Sequence, residues 1–103
     1  MGFDFFQYLG RESVTYYPGG DTASAIECEG VIIRSPVTRL NEHIVRTAEV
    51  WIPRGNLAGK VSTIEVGQDE MLLRIRPYQP MERCRVTRLL TSDDYAWKVQ
   101  VTR

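Results

Sequence analysis

Apolar and polar positions alternate along most of the chain, and this predicts consecutive β-strands. The clearest stripe comes last: Tyr95, Trp97, Val99 and Val101 share one face, with Ala96, Lys98, Gln100 and Thr102 on the other, the period of two that a half-buried strand requires. Arg83 to Leu90 puts Cys84, Val86 and Leu90 inward and Arg83, Arg85 and Thr87 outward, and Thr91-Ser92-Asp93-Asp94 supplies the turn that makes the two a hairpin. Near the start, Glu12 to Tyr17 is rich in β-branched and aromatic residues and stops at Pro18-Gly19-Gly20-Asp21, where glycines tolerate positive φ. In Ala25 to Ser35, Ile26, Cys28 and Ile32 share one face, with Glu27, Glu29, Val31 and Ile33 on the other. Gly30 in its middle marks a bulge or a sharp bend, which a closing sheet needs.

Pro36 to Glu42 is polar and without period, which predicts a connection ending near Asn41. Ile44 to Ile52 resumes the strand pattern until Pro53 removes a donor. Arg54 to Lys60 predicts a loop with one helical turn at Asn56-Leu57-Ala58. Val61 to Val66 and Met71 to Arg76 read as two strands of a hairpin turned by Gly67-Gln68-Asp69-Glu70, and Pro77 and Pro80 then space it from the last hairpin. About seven short strands without a second credible helix predict an all-β fold, an antiparallel small barrel or sandwich, over residues 11–103. Residues 1–10 form an N-terminal arm. Its Phe5, Tyr8 and Leu9 share a helical face while Phe3 and Phe5 alternate as in a strand, so the arm is short and helical or extended. Phe3, Phe5, Phe6 and Tyr8 either lid the end of the core or dock on a neighbouring protein.

At 103 residues and 43% apolar, the chain is the size of one domain. Its 13 Lys and Arg balance 13 Asp and Glu, so it lacks the strong positive field of a nucleic-acid coat. No run of 18 apolar residues and no basic-flanked apolar start occurs, which predicts neither a membrane span nor a cleaved secretion signal. Cys28 and Cys84 are far apart with no nearby ligand pair, so neither zinc nor a disulfide framework is expected, and a reducing cytoplasm fits. Both fall on inward faces, as small hydrophobes do.

Candidate chemistry is sparse. His43 is the only histidine and has no nucleophile context, and Asp93-Asp94 reads as a turn former. Gly55-Asn56-Leu57-Ala58-Gly59-Lys60 is one residue short of a phosphate loop, and Val61 stands where Ser or Thr belongs. No catalytic residue, cofactor or metal is therefore expected. Charge distribution says more than its total: Met1 to Glu70 holds 6 basic and 10 acidic residues, Met71 to Arg103 holds 7 and 3. Such asymmetry suits a basic face for nucleic acid, complementary faces that let identical subunits stack in a ring, or a salted surface without any patch. Arg74, Arg76, Arg83 and Arg85 are the candidate interaction residues, because each pair lies opposite a core stripe.

Several stretches together resemble the head-tail joining proteins of tailed phages and prophages. They are Val14-Thr15-Tyr16-Tyr17-Pro18-Gly19-Gly20, then Arg46-Thr47-Ala48-Glu49-Val50-Trp51-Ile52-Pro53, and a closing hairpin of Arg85-Val86-Thr87-Arg88-Leu89-Leu90, Ser92-Asp93-Asp94 and Tyr95-Ala96-Trp97-Lys98-Val99. One departure is Gly67-Gln68-Asp69, where many members carry Gly-Asp directly. The resemblance implies a β-barrel or sandwich that joins head to tail as a ring without catalysis. Its implied partners are further copies of itself and the phage head or portal and tail proteins, with DNA possible but not required and no membrane. The implied location is the virion, and the bacterial host cytoplasm during assembly. Segments 1–10 and 35–42 are then expected to become ordered on docking. The alternative is a small β-barrel that binds nucleic acid through its Arg-rich C-terminal half.

Overall fold

The computed structural model describes residues 10–35, 38–40, 43–57, 61, 63–92 and 96–103. In chain order the strands are β1 (Glu12–Tyr17), β2 (Ile26–Arg34), β3 (Thr38–Leu40), β4 (His43–Val45), β5 (Thr47–Pro53), β6 (Glu70–Leu73), β7 (Glu82–Ser92) and β8 (Ala96–Thr102). Six of them close into a barrel in the order β1-β2-β5-β8-β7-β6, and every pairing, including the closing one between β6 and β1, is antiparallel. The all-β expectation holds, and of its two architectures the barrel is the one formed. Closure pairs each barrel strand on both sides, which removes the barrel's own open edges as templates for aggregation.

The inside is filled from the alternating stripes. Val14 and Tyr16 of β1, Ile26 and Ile32 of β2, Ala48, Val50 and Ile52 of β5, Met71 and Leu73 of β6, Cys84 and Val86 of β7, and Trp97, Val99 and Val101 of β8 form one buried cluster. At about 25 cal/mol per Å² of apolar surface removed from water, each buried Val, Ile, Leu and Met among them contributes roughly 1.5–3 kcal/mol. Val31 faces outward as its alternation requires, yet it is buried by Trp51 and Ala96 in a second, small cluster on the outer wall. Gly30 is where β2 changes neighbours: Ile26 to Gly30 pair with β1 and Val31 to Arg34 with β5. A Cβ there would lie 3.0 Å from the Trp51 carbonyl oxygen, so the close approach of β5 requires glycine.

Five expectations are corrected. Val61 to Val66 is not a strand. Both neighbours of β6 are already β1 and β7, so the barrel has no edge for it. Instead Val61 and Ile64 turn into the core cluster and stopper one end of the barrel. The polar stretch 36–42 is not simply a connection, because β3 and β4 pair as a separate two-stranded ribbon between β2 and β5. Ile44 to Ile52 is accordingly two strands, β4 and β5, interrupted at Arg46. The helical turn starts earlier than expected, at Arg54, as α1 (Arg54–Leu57). Finally, β7 continues past Leu90 to Ser92, with irregularities between Val86 and Arg88 and between Leu89 and Thr91. These break its alternation, so Leu89 is 43% exposed and Leu90 only half-buried. The arm residues Phe3, Phe5, Phe6 and Tyr8, and Asp93, Asp94 and Tyr95, lie outside the described residues.

Candidate functional site

Three surfaces carry the polar chemistry: the two ends of the barrel and its outer wall. One end is formed by the end of β1, the start of β6 and the lid running from Val61 to Asp69. Asp69 is the only buried charged residue among those described, at 1% exposure. Its carboxylate accepts hydrogen bonds from the Tyr16 hydroxyl, from the Gly19 N–H at 2.7 Å and from the Glu65 N–H at 2.9 Å. The lid is further laced to β7, since Gly67 N–H donates to Val86 O at 2.8 Å and Val86 N–H to Asp69 O at 3.0 Å. Gly19 and Gly20 adopt positive φ, 63° and 74°, and so bring the chain back towards the carboxylate. Burial and the hydrogen bond to Asp69 together raise the Tyr16 hydroxyl well above its ordinary value. A phenol held protonated against a carboxylate that also accepts from two backbone amides is a clamp that ties β1, the glycine turn and the lid together.

The opposite end gathers the start of β1, the ends of β2, β6 and β8, and the start of β5. Arg34 binds Glu12 through both terminal nitrogens, at 3.0 and 2.7 Å, and donates to the Arg74 carbonyl. Arg74 in turn reaches Gln79 O at 2.7 Å, and Arg76 pairs with Glu82. Arg103 Nε lies 3.2 Å from the other Glu82 oxygen. Two hollows open here, one lined by Glu12, Arg34, Arg74, Pro77 and Tyr78, the other by Arg46, Arg76, Glu82 and Arg103. Pro77-Tyr78 is the centre of a turn closed by Gln79 N–H to Arg76 O, and Tyr78 holds φ 63° while 99% exposed. Pro followed by a positive-φ residue is the type II pattern, where glycine or asparagine is normally found.

On the outer wall, Glu27 and Glu29 are exposed on β2, and Arg85 and Arg88 are exposed on β7. In the six-stranded order β2 and β7 stand three strands apart, on opposite sides of the barrel. The four arginines singled out from the sequence therefore divide. Arg74 and Arg76 belong to the end just described, Arg85 to the basic wall, and Arg83 lies over the Tyr17 ring, pairs with Glu70 and donates to the Gly20 carbonyl. Arg34, Arg46 and Arg103, which alternation along the chain does not single out, join the arginine end only because strand termini converge there. Burial pushes the Cys28 and Cys84 thiols up to about 11, so both stay protonated and unreactive near neutrality. Among the described residues no group of three His, Cys, Asp or Glu side chains is placed to hold a metal ion, and no helix is long and apolar enough to cross a membrane.

These features define a closed antiparallel six-stranded barrel with opposed charges on its wall. Comparison of the chain with protein-family models, with curated proteins and with solved structures finds no match.

Proposed function

We propose that the protein is a non-catalytic structural subunit of a tailed-phage or prophage head-tail connector, which works by assembling side by side into a ring between head and tail proteins. The observation that carries this reading is the opposition of Glu27 and Glu29 on β2 to Arg85 and Arg88 on β7 across one barrel. Such a subunit presents an acidic face to one neighbour and a basic face to the next, which is a head-to-tail contact that closes into a ring when the rotation permits. Exposed ion pairs contribute only about 0.2–1 kcal/mol each, so the contact is weak singly and gains strength by repetition round a ring. The closed sheet supports the same reading, because each barrel strand is paired on both sides and the barrel offers its wall, not an edge, for contacts. In this role the protein acts in the virion and is made in the host cytoplasm. The rival reading, nucleic-acid binding through Arg74, Arg76, Arg83 and Arg85, is less well supported, because these side chains serve different partners instead of one platform.

Light scattering and electron microscopy across a concentration series test the proposal. Rings should form at high concentration, resist nuclease and dissolve with salt. The double variants Glu27→Lys with Glu29→Lys, and Arg85→Glu with Arg88→Glu, should each remain monomeric alone and assemble when mixed, since each then supplies the wall the other lacks. Rings unaffected by either reversal, or a monomer at every concentration, would count against it. Affinity for DNA that falls steeply with salt, without any ring, would favour the rival.

A further inference from the structure

We propose that the hollow between Arg46, Arg76, Glu82 and Arg103 is a phosphate-binding site. Three arginines and one glutamate line it. Glu82 is shared, one oxygen to Arg76 and the other 3.2 Å from Arg103 Nε, and its side chain is 11% exposed, so it is a nearly buried pivot that holds two arginines at fixed positions. Arg46 completes the rim: the Arg103 N–H donates to the Arg46 carbonyl at 3.0 Å, which ties the two residues' backbones together.

The charge balance of this rim is incomplete from within. Arg76 Nε is buried with no hydrogen-bond partner among the described residues, and so is Glu82 Oε2, whose contact with Arg103 is an ion pair only. Arg46, half-buried, makes no side-chain hydrogen bond or ion pair there either. A buried donor left unpaired costs about 1–3 kcal/mol, and guanidinium groups left over beside a single carboxylate repel one another. Both penalties are relieved by a compact anion with several oxygens, because a phosphate accepts from more than one guanidinium fork at once. The hollow has a volume of about 330 Å³, at the lower end of the range for ligand sites. That suits a phosphate group with its first attachment, and is too small to enclose a dinucleotide.

The chemistry is common to a phosphodiester of a nucleic-acid backbone and to a free or small-molecule phosphate. It does not depend on ring assembly, and it uses a different set of arginines from Arg85 and Arg88 of the basic wall.

The test uses the full chain at constant ionic strength, with chloride as the control anion. Inorganic phosphate and pyrophosphate are titrated while backbone amide shifts are followed by NMR, and a fluorescein-labelled oligothymidylate is titrated in parallel by anisotropy. Saturable phosphate shifts at Arg46, Arg76 and Arg103 are expected, weakened about tenfold by Arg46→Gln. Arg46→Gln should leave thermal stability in chloride unchanged or slightly raised, since the side chain holds nothing else in place and its charge is repelled by the neighbouring arginines, and Arg103→Gln serves as the second variant. If the phosphate comes from nucleic acid, the oligonucleotide also binds, and Arg46→Gln lowers the slope of log affinity against log salt by about one. If only phosphate and pyrophosphate bind, the source is a small molecule. The proposal is overturned if phosphate gives no saturable shift, or if its binding is indifferent to both Arg46→Gln and Arg103→Gln.

Discussion

The two ends of the barrel are finished with opposite chemistry. At one end a single buried carboxylate, Asp69, draws three donors inward and locks the lid that carries Val61 and Ile64 into the core. At the other, arginines reach outward over the strand ends, meet one partly covered carboxylate, Glu12, and one nearly buried one, Glu82, and leave two hollows between them. A buried carboxylate with every partner satisfied specifies structure, and its loss is costly. Half-exposed guanidinium groups add little to stability and keep their charge available to other molecules. The difference assigns stability to the Asp69 end and recognition to the arginine end.

Substitutions at each end should separate these roles. The largest effect is expected from Asp69→Ala, which strands the Tyr16 hydroxyl and two backbone amides and should cost about 3–5 kcal/mol in urea unfolding. Tyr16→Phe, which removes one of the three donors, should cost less, about 1–3 kcal/mol. Between the ends, Gly30→Ala drives a methyl group to 3.0 Å from the Trp51 carbonyl oxygen, and the shift of β5 that follows should cost about 1–3 kcal/mol.

The thiols add a pH dependence. Cys28 and Cys84 ionise near 11 in the folded protein, against an ordinary value of 9.0. The unfolded chain therefore gives up these protons first, so stability is fully present below the ordinary value and falls as pH rises from there through the folded value. Comparing urea midpoints at about pH 8 and about pH 10 should show this loss, and replacing both cysteines with alanine should remove most of it, the remainder coming from Tyr16, which is also raised.

Smaller effects are expected at the arginine end. Arg34→Ala should cost about 1–2 kcal/mol, because it removes a two-pronged contact with Glu12 and the bonds to the Arg74 carbonyl while both side chains remain in contact with water. A loss several times larger would move this end into the structural class. Tyr78→Asn should raise the melting temperature slightly, by about 2–5 °C, since asparagine accepts the left-handed backbone that tyrosine resists.

Much of the barrel is legible in the alternation: Trp97, Val99 and Val101 face inward as their spacing predicts, and Gly30 stands where the sheet must turn between partners. The lid is not legible. Val61 and Ile64 are apolar in either reading, and only the pairing of β6 with both β1 and β7 denies them a strand. Asp69 looks like a turn residue beside Gly67, because its partners Tyr16 and Gly19 lie 53 and 50 residues away in sequence. The arginine end is hidden for the same reason: Arg34, Arg46 and Arg103 sit at the ends of three different strands, and only closure of the sheet brings them to one rim. Local period reveals which way a side chain points, and it is blind to which strand ends meet.

Amide hydrogen exchange on the intact protein tests the contrast between the ends most directly. The Gly19 and Glu65 amides, both donated to Asp69, should exchange only through global unfolding, while the Gln79 amide at the arginine end exchanges orders of magnitude faster. Equal protection at Gln79, or rapid exchange at Gly19 and Glu65, would contradict the division of the barrel into a locked end and a receptive one.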